Sequence, residues 1–180
     1  MRLVYAVFIL LLVLMTSAQC QQTAEDWYNK GKVLSNQSKY DEAVKAYDEA
    51  IRLDPNSTVA WTYKCAALDS QGKYDEGLMA CDEAIRIDPD APDAWYNKGN
   101  VLADKCKYDE ASKSYDEAIG LDPKDAMAWA GKGIALKNQG KYNESIEAYD
   151  EAIKLDPKHA PTWYNKGIAL ENQGKYNESL

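Results

Sequence analysis

Apolar and small side chains recur along most of this chain at the spacing of an α-helix. Trp27, Gly31 and Leu34 follow one another at i, i+4 and i+7, which places them on one helix face. The next segment carries a buried side at Tyr40, Ala43, Tyr47, Ala50 and Ile51, and a charged side at Asp41, Glu42, Lys45, Asp48, Glu49 and Arg52. Such two-sided segments predict amphipathic helices whose charged faces are in water.

Short polar breaks separate these segments. Gln37-Ser38-Lys39 lies between the first two, and Gln-Gly-Lys occupies the equivalent places at 71–73, 139–141 and 173–175. Glycine there suits the left-handed conformation that ends a helix. Asp54-Pro55 ends the second segment, because the residue before proline is disfavoured in helical geometry. The pattern predicts helical hairpins.

The hairpins repeat with a fixed period of 34 residues. Five tryptophans mark it, at Trp27, Trp61, Trp95, Trp129 and Trp163, and a tyrosine follows each after thirteen residues, at Tyr40, Tyr74, Tyr108, Tyr142 and Tyr176. Aligning the chain on these residues gives units 1 to 4 at 24–57, 58–91, 92–125 and 126–159, and a truncated unit 5 at 160–180. A period of this length is typical of stacked arrays, in which each hairpin buries its apolar face only against a neighbour.

The repeated words W-Y-N-K-G-x-x-L, Y-D-E-A, Y-D-E-A-I and L-D-P resemble the tetratricopeptide repeat, from Ala24 to Leu180. The resemblance implies an all-α fold, a right-handed α-solenoid of stacked helix-turn-helix hairpins. One departure is a lysine where the family usually has an apolar residue, at Lys30, Lys64, Lys98, Lys132 and Lys166. We expect the alkyl stems of these lysines to cover apolar surface while the ammonium groups reach water.

Unit 5 repeats unit 4 closely and stops at Leu180, four residues after Tyr176. A second helix has barely begun at that point, so we expect the first helix of unit 5 to lack its partner helix.

The first twenty residues predict export. Arg2 precedes the uncharged apolar run from Leu3 to Met15, and small residues follow it. The run is short for a membrane span and suits a signal peptide, with an uncleaved N-terminal membrane anchor as the alternative. Cys20 adds a third possibility, a lipid on its thiol. Each alternative predicts an extracytoplasmic protein, secreted or membrane-associated.

The charge of the chain restricts its partners. A formal net charge of -8 opposes binding to nucleic acid, and it favours basic or mixed-charge partners. We expect other proteins or peptides as partners, and contact with a membrane only through the N-terminal segment or a lipid on Cys20.

Catalytic and metal-binding chemistry lacks a residue pattern. The single histidine, His159, falls between helices, and we interpret it as an exposed loop residue. The repeated Asp-Glu pairs lie on the charged helix face without a calcium-loop glycine, and no zinc or phosphate-loop motif occurs. The sequence therefore predicts a protein that is not an enzyme and has no cofactor or metal.

Two cysteines distinguish unit 2. Cys65 and Cys81 lie on the two helices of one hairpin, and in an exported protein they could form a disulfide. We favour the simpler interpretation that they are small apolar core residues, which, together with Gly77, predicts a loosely packed hairpin. Cys106 replaces the turn glycine of unit 3 and should be exposed.

The tetratricopeptide resemblance also implies a binding surface. In that family the first helices line a concave groove, and ligand contacts come from fixed places in the repeat. Those places in this chain are Tyr28, Lys32, Asn36, Thr62, Asp69, Tyr96, Asn97, Asn100, Asp104, Ile134, Lys137, Asn138 and Tyr164. No arginine is among them, which argues against a clamp for acidic chaperone tails.

Two hypotheses for the function follow. The first is a non-enzymatic protein–protein interaction scaffold outside the cytoplasm, with a partner segment in the groove. The second is an accessory repeat region of a larger envelope enzyme or of a carbohydrate-binding assembly.

Overall fold

A computed structural model describes the backbone of residues 22–178 and the side chains as far as residue 174. Within this part of the chain there are nine α-helices and no β-strand. They are α1 (Ala24–Asn36), α2 (Tyr40–Leu53), α3 (Thr58–Ser70), α4 (Tyr74–Ile87), α5 (Pro92–Asp104), α6 (Tyr108–Leu121), α7 (Ala126–Asn138), α8 (Tyr142–Leu155) and α9 (Ala160–Glu178). Each pair of helices is one predicted unit, and the units stack into an all-α solenoid, so the predicted fold class is confirmed.

The first helices begin at side chains that cap them. Thr23 and Asp26 form a reciprocal capping box at the start of α1, and the Ser57 and Asp125 side chains accept backbone N–H groups at the starts of α3 and α7. Pro92 occupies the first turn of α5, where its missing N–H costs nothing.

The turns inside the hairpins contain a left-handed residue. Gly72 and Gly140 have φ of 72° and 78°, whereas units 1 and 3 place Ser38 and Cys106 in the same conformation, each at φ 59°. The predicted breaks at 37–39, 71–73 and 139–141 are confirmed. Cys106 is exposed and unbonded, as predicted.

A glycine against a tyrosine brings the two helices of a hairpin together. A Cβ atom on Gly31, Gly99 or Gly133 would lie 2.5–2.6 Å from the ring of Tyr47, Tyr115 or Tyr149, and these three rings are buried. Only glycine allows the tyrosine ring to lie flat against the facing helix backbone.

Unit 2 replaces this contact with a covalent bond. Cys65 and Cys81 occupy the glycine and tyrosine places and form a disulfide, with their Cα atoms 5.3 Å apart. The interpretation of the two cysteines as unbonded core residues was therefore wrong. The two repeat positions that are in contact in units 1, 3 and 4 are also in contact in unit 2, where both are cysteines.

The repeated lysines join consecutive units. Their ammonium groups form ion pairs of 2.5–2.7 Å with aspartates on the second helix of the preceding unit: Lys64 with Asp48, Lys98 with Asp82, Lys132 with Asp116 and Lys166 with Asp150. Each ammonium also lies 5.0–6.0 Å from the ring centroid of its own unit's tryptophan. The expectation that these groups simply reach water was wrong, because an aspartate lies within reach at every junction.

The tryptophans complete the same junctions. The indole N–H groups of Trp61, Trp95, Trp129 and Trp163 donate to the carbonyl oxygens of Pro55, Pro89, Pro123 and Pro157, at 2.9–3.1 Å. We call this repeated set of lysine, aspartate, tryptophan and proline the junction ladder. Its ion pairs are partly exposed, so each contributes about 0.5–1 kcal/mol.

The last helix differs from the sequence-based expectation. A turn was predicted at 173–175, but α9 continues through these residues to Glu178. In the other hairpins a whole second helix packs back against the first. The continued helix satisfies the backbone hydrogen-bonding groups of residues 175–178 at the modest cost of one glycine.

The apolar side of α9 is more open than that of earlier first helices. Trp163 is 51% exposed and Leu170 is 46% exposed, whereas the other four tryptophans are half-buried. No helix within the described residues is long and apolar enough to cross a membrane. The predicted leader at 1–20, including Cys20, lies outside the described residues.

Candidate partner-binding groove

The first helices of the units form one continuous inner face. Each first helix contacts the first helix of the next unit, while within residues 22–178 the second helices of successive units do not contact each other. Helices that converge on one side and diverge on the other give a curved array whose concave face is lined by α1, α3, α5, α7 and α9.

A cavity of about 300 Å³ opens on this face across units 2 to 5. It brings together five of the predicted groove residues, Asp69, Tyr96, Asn100, Asp104 and Ile134. Its remaining walls are Ala103, Tyr115, Met127, Ala130, Gly131, Tyr149, His159, Pro161, Thr162 and Asn165. Larger cavities of about 410–700 Å³ lie beside the tryptophans and are lined by the repeated residues, whereas this one combines side chains that differ from unit to unit.

One end of the cavity is acidic. Asp69 from α3 is half-buried, and its Oδ1 atom is out of contact with water and has no hydrogen-bond partner. Burial, with a smaller contribution from the charge of Asp104, raises the pKa of the Asp69 carboxyl to about 6. The negative charge at this end is therefore only weakly stabilised by the protein itself.

The opposite end offers donors instead. The Tyr149 ring is fully buried, and its hydroxyl has no hydrogen-bond partner. Ser145, one turn earlier on α8, is near enough to affect the pKa of Tyr149, but its hydroxyl donates to the Gly133 carbonyl oxygen at 2.8 Å. No hydrogen bond of acceptable geometry joins the two hydroxyls, so the geometry leaves the Tyr149 donor unused.

A lysine lies beside this donor end. Lys137 donates to Asn165 Oδ1 at 3.1 Å, and Asn165 Nδ2 donates to the Pro161 carbonyl oxygen at 3.0 Å. Burial lowers the pKa of Lys137. The cavity is thus acidic at units 2 and 3 and has one unused donor, the Tyr149 hydroxyl, at units 4 and 5.

Tyr96 and Asn100 contribute to packing as well as to the cavity wall. The Tyr115 hydroxyl donates to Asn100 Oδ1 at 2.8 Å, and the Tyr96 ring packs 6.0 Å from the Tyr115 ring. Tyr96 is half-buried against two core clusters. Replacing Tyr96 or Asn100 would disturb the fold, so these two residues are poor choices for a test of binding alone.

The predicted groove residues of unit 1 form a separate aromatic cluster. Tyr28 packs edge-on against Tyr63 at 5.3 Å and also touches Tyr47, and the exposed Lys32 ammonium lies 5.9 Å from the Tyr63 ring. Burial, with hydrogen bonding to Tyr63, raises the pKa of Tyr28 to about 12. The cluster extends the inner face beyond the cavity.

Two predicted groove residues serve the stacking of units. Thr62 is buried, so the structure does not place its side chain on an open groove, and Asn97 Nδ2 approaches the Thr62 carbonyl oxygen at 3.5 Å. Threonine fits there because the following first helix lies directly over it. Asn36, Asn138 and Tyr164 are exposed and lie outside the cavity.

Sequence reasoning missed several cavity residues. His159 was interpreted as an exposed loop residue, but it is half-buried, lines the cavity, and places Nδ1 2.7 Å from Thr162 Oγ1. Tyr149 was not singled out, and only its equivalent in unit 1, Tyr47, was assigned to a buried helix side. The signal for Tyr149 was available, because Ile134 stands where unit 3 has Asn100, the residue that accepts from the equivalent Tyr115 hydroxyl.

The described residues contain no group of three or more side chains that could hold a metal ion. The polar side chains that line the cavity offer hydrogen-bonding groups and carboxylates.

Solved structures of similar fold come from several proteins. A crystal structure of MamA superposes with a TM-score of 0.72 at 21% identity, over 86% of this chain and 85% of the other. YrrB, whose structure is described as a TPR protein with an unusual peptide-binding site, gives 0.66 at 24% identity, over 84% and 78%. The first TPR domain of human RPAP3 gives 0.64 at 24% identity, over 66% and 94%. At these identities the likeness shows the fold. No curated protein sequence matches the chain.

Two family models match the sequence itself. The model described as "Tetratricopeptide repeat" matches residues 24–57 and 92–125, and the model described as "TPR repeat" matches residues 67–105 and 135–174. Together they cover more than half of the chain, at the period that the tryptophans mark and with the hairpins that the structure contains. The chain belongs to the tetratricopeptide repeat family.

Proposed function

We propose that this protein is a non-enzymatic interaction scaffold outside the cytoplasm, which binds a segment of a partner protein in its concave groove. The observation that carries the proposal is the cavity of about 300 Å³ on the inner face, to which four consecutive units contribute side chains. A site built from several units suits an extended segment, which can contact each unit in turn. Protein and peptide binding is also the activity that the groove of this fold serves in the wider family.

A matched pair of variants tests the groove. Ile134→Arg places a charged side chain at the half-buried floor of the cavity, whereas Met79→Arg does so on the outer side, where Met79 is 70% exposed. Proteins captured from the envelope fraction of the host by the wild type are quantified by mass spectrometry beside both variants.

We expect Met79→Arg to retain the captured proteins and Ile134→Arg to lose them, with the same melting temperature in both variants. Equal capture by the two variants would place binding elsewhere on the molecule and contradict the proposal.

The proposed location rests on the leader and on the disulfide. The run from Leu3 to Met15 is typical of an export signal, and a disulfide between Cys65 and Cys81 suits an oxidising compartment. Amino-terminal sequencing of protein purified from its host tests this. We expect a start near Gln19 or Gln21, or a lipid-modified Cys20, and recovery from the cytoplasm with Met1 intact would contradict export.

A further inference from the structure

Two polar groups in the cavity lack partners, and they need opposite ones. The Oδ1 atom of Asp69 is an acceptor without a donor, and the Tyr149 hydroxyl is a donor without an acceptor. Both residues line the same cavity, and the Tyr149 side chain is fully buried. A buried polar group without a partner destabilises the folded protein, so a ligand that satisfies both groups gains affinity from them.

The acidic end specifies a cation. Asp104, on the next first helix, lies near enough to Asp69 to affect the pKa of its carboxyl, and among the described side chains neither carboxylate forms an ion pair with a lysine or arginine. Lys105, the nearest lysine in sequence to Asp104, pairs instead with Asp75. A cationic side chain between Asp69 and Asp104 would donate to the unpartnered oxygen and offset both charges.

The middle of the cavity is apolar, with Met127, Ala130 and Ile134 between the two ends. This part suits an apolar side chain or the alkyl stem of a lysine or arginine. At the far end, the Tyr149 hydroxyl suits an acceptor, and every backbone carbonyl of an extended peptide is one.

From this arrangement we propose that the groove selects a peptide segment carrying a lysine or arginine. The cationic group lies between Asp69 and Asp104, and a backbone carbonyl oxygen of the same segment accepts from Tyr149. The inference rests on the proposed function and adds the chemical class of the bound segment. The net charge of -8 favours the same class of partner through long-range attraction.

The test uses random twelve-residue peptides displayed on phage, selected on the purified protein and sequenced. The most enriched peptide is then synthesised with a fluorescent label, and its dissociation constant is measured by anisotropy. We expect lysine or arginine at a fixed place in the enriched peptides. Asp69→Asn with Asp104→Asn should weaken binding tenfold or more, and Tyr149→Phe should weaken it about fivefold with no loss of melting temperature.

A charge-matched control separates local contacts from overall charge. Glu144→Gln with Glu147→Gln also removes two negative charges, on exposed residues of the outer side of α8. We expect this double variant to bind the peptide within twofold of the wild type. Equal weakening by both double variants would mean that the attraction is nonspecific, which contradicts the proposal.

Three further results would each overturn the assignment. If the enriched peptides lack a basic residue but no longer bind the Ile134→Arg variant, the proposed binding in the groove is supported and the preference for a cation is refuted. If butylammonium binds as tightly as the peptide, the cavity recognises a small cation and not a peptide segment. A failure of any peptide to bind the inner face would refute this inference and the proposed function together.

Discussion

Two buried tyrosines in equivalent places differ in one hydrogen bond. Tyr115 and Tyr149 each lie against a glycine of the facing helix, but only the Tyr115 hydroxyl has an acceptor, Asn100 Oδ1 at 2.8 Å. We expect Tyr115→Phe to lower the free energy of unfolding by about 1 kcal/mol, because it removes a hydrogen bond. Tyr149→Phe should leave that energy unchanged or raise it by up to about 1 kcal/mol, because it removes an unsatisfied buried group.

Urea denaturation of the two variants measures this difference. The pair is matched in ring size, in helix position and in the glycine of its own hairpin, whereas Tyr115 also contacts Gly131 of the next unit. An equal loss of stability in both would mean that Tyr149 has a partner in solution.

The carboxyl of Asp69 makes stability depend on pH. Its pKa is raised in the folded protein from 3.8 to about 6, so the folded state binds the proton more tightly than the unfolded state. Below pH 3.8 the carboxyl is protonated in both states and has almost no net effect on stability. Between pH 3.8 and about 6 only the unfolded state ionises, so stability falls by an amount that solvent screening reduces to about 1–2 kcal/mol, and above pH 6 it stays constant.

Asp69→Asn therefore should raise the melting temperature at pH 7.5 and leave it unchanged at pH 4. Thermal denaturation followed by circular dichroism across this range checks both ends. Asp104→Asn should give a smaller increase, because the charge of Asp104 is only the lesser cause of the raised pKa. A constant advantage of Asp69→Asn at every pH would contradict the assigned pKa.

At the residue scale, the sequence indicated which helix face a side chain lies on better than it indicated what that side chain contacts. Asp69, Asp104 and Ile134, which were predicted from their places in the repeat, line one cavity together. Thr62 was misassigned, because its burial depends on how closely the next unit approaches, and no local pattern encodes that distance. The role of Tyr149 was missed although Ile134 replaces the acceptor Asn100 in the sequence, because only the structure shows that the Ser145 hydroxyl donates elsewhere.

Among the helices, α4 has a defect that can be repaired. Gly77 lies inside this helix where units 1 and 3 have Ala43 and Ala111, and a Cβ atom there would meet its nearest neighbour at 3.5 Å, an ordinary contact. We expect Gly77→Ala to raise the free energy of unfolding by about 1 kcal/mol through helix propensity. Gly99→Ala should lower it by about 1–3 kcal/mol, since its Cβ would lie 2.6 Å from Tyr115 Cε1.

The midpoints of urea denaturation for the two variants provide the measurement. Both changes add the same methyl group to a buried helical glycine, so they differ only in the space available. If Gly77→Ala is as destabilising as Gly99→Ala, the hairpin of unit 2 is tighter than this structure indicates.

The disulfide closes the hairpin of α3 and α4 over a separation of 16 residues. A loop of this size predicts a stabilisation of about 3 kcal/mol, chiefly by restricting the unfolded chain. We expect dithiothreitol to lower the melting temperature of the wild type. The double variant Cys65→Gly with Cys81→Tyr restores the glycine–tyrosine contact of the other units, and its melting temperature should not respond to dithiothreitol.

A wild type insensitive to reductant, with both thiols titrating as free after unfolding, would mean that the protein is made without this bond. The comparison within one chain explains why the sequence alone did not decide the matter. The two cysteines occupy places that touch in every hairpin, but whether touching thiols become bonded also depends on the redox environment.

The helices themselves were predicted well, because periodicity, caps and turn residues all repeat and agree. The first four hairpins span Ala24–Leu53, Thr58–Ile87, Pro92–Leu121 and Ala126–Leu155. The turn at 173–175 was predicted from the same Gln-Gly-Lys motif, but α9 is helical through these residues. A glycine permits a chain reversal, whereas the reversal is stabilised by the packing of two helices against each other.

For the whole molecule, the order in which the units stack could be predicted from the sequence. The set of side chains that meet in the cavity could not. The fixed period implied that each unit contacts its neighbours, and the structure has this arrangement. The cavity depends on which non-repeating side chains come together across four units, and that follows from the superhelical path. A prediction of the inner face was possible, whereas a prediction of its acidic and donor ends was not.

The junction ladder has a consequence for how such a gene can change. Every junction uses the same lysine, aspartate, tryptophan and proline, so none of them identifies which unit comes next. An in-frame recombination that removed residues 92–125 would bring Lys132 against Asp82 and Trp129 against Pro89, and the two cut ends would fit. The cavity would lose Tyr96, Asn100 and Asp104 in the same event. Unequal crossing-over between units therefore yields proteins that still fold but whose cavity is lined by different side chains. The cavity of this architecture can change while the contacts between its units stay the same.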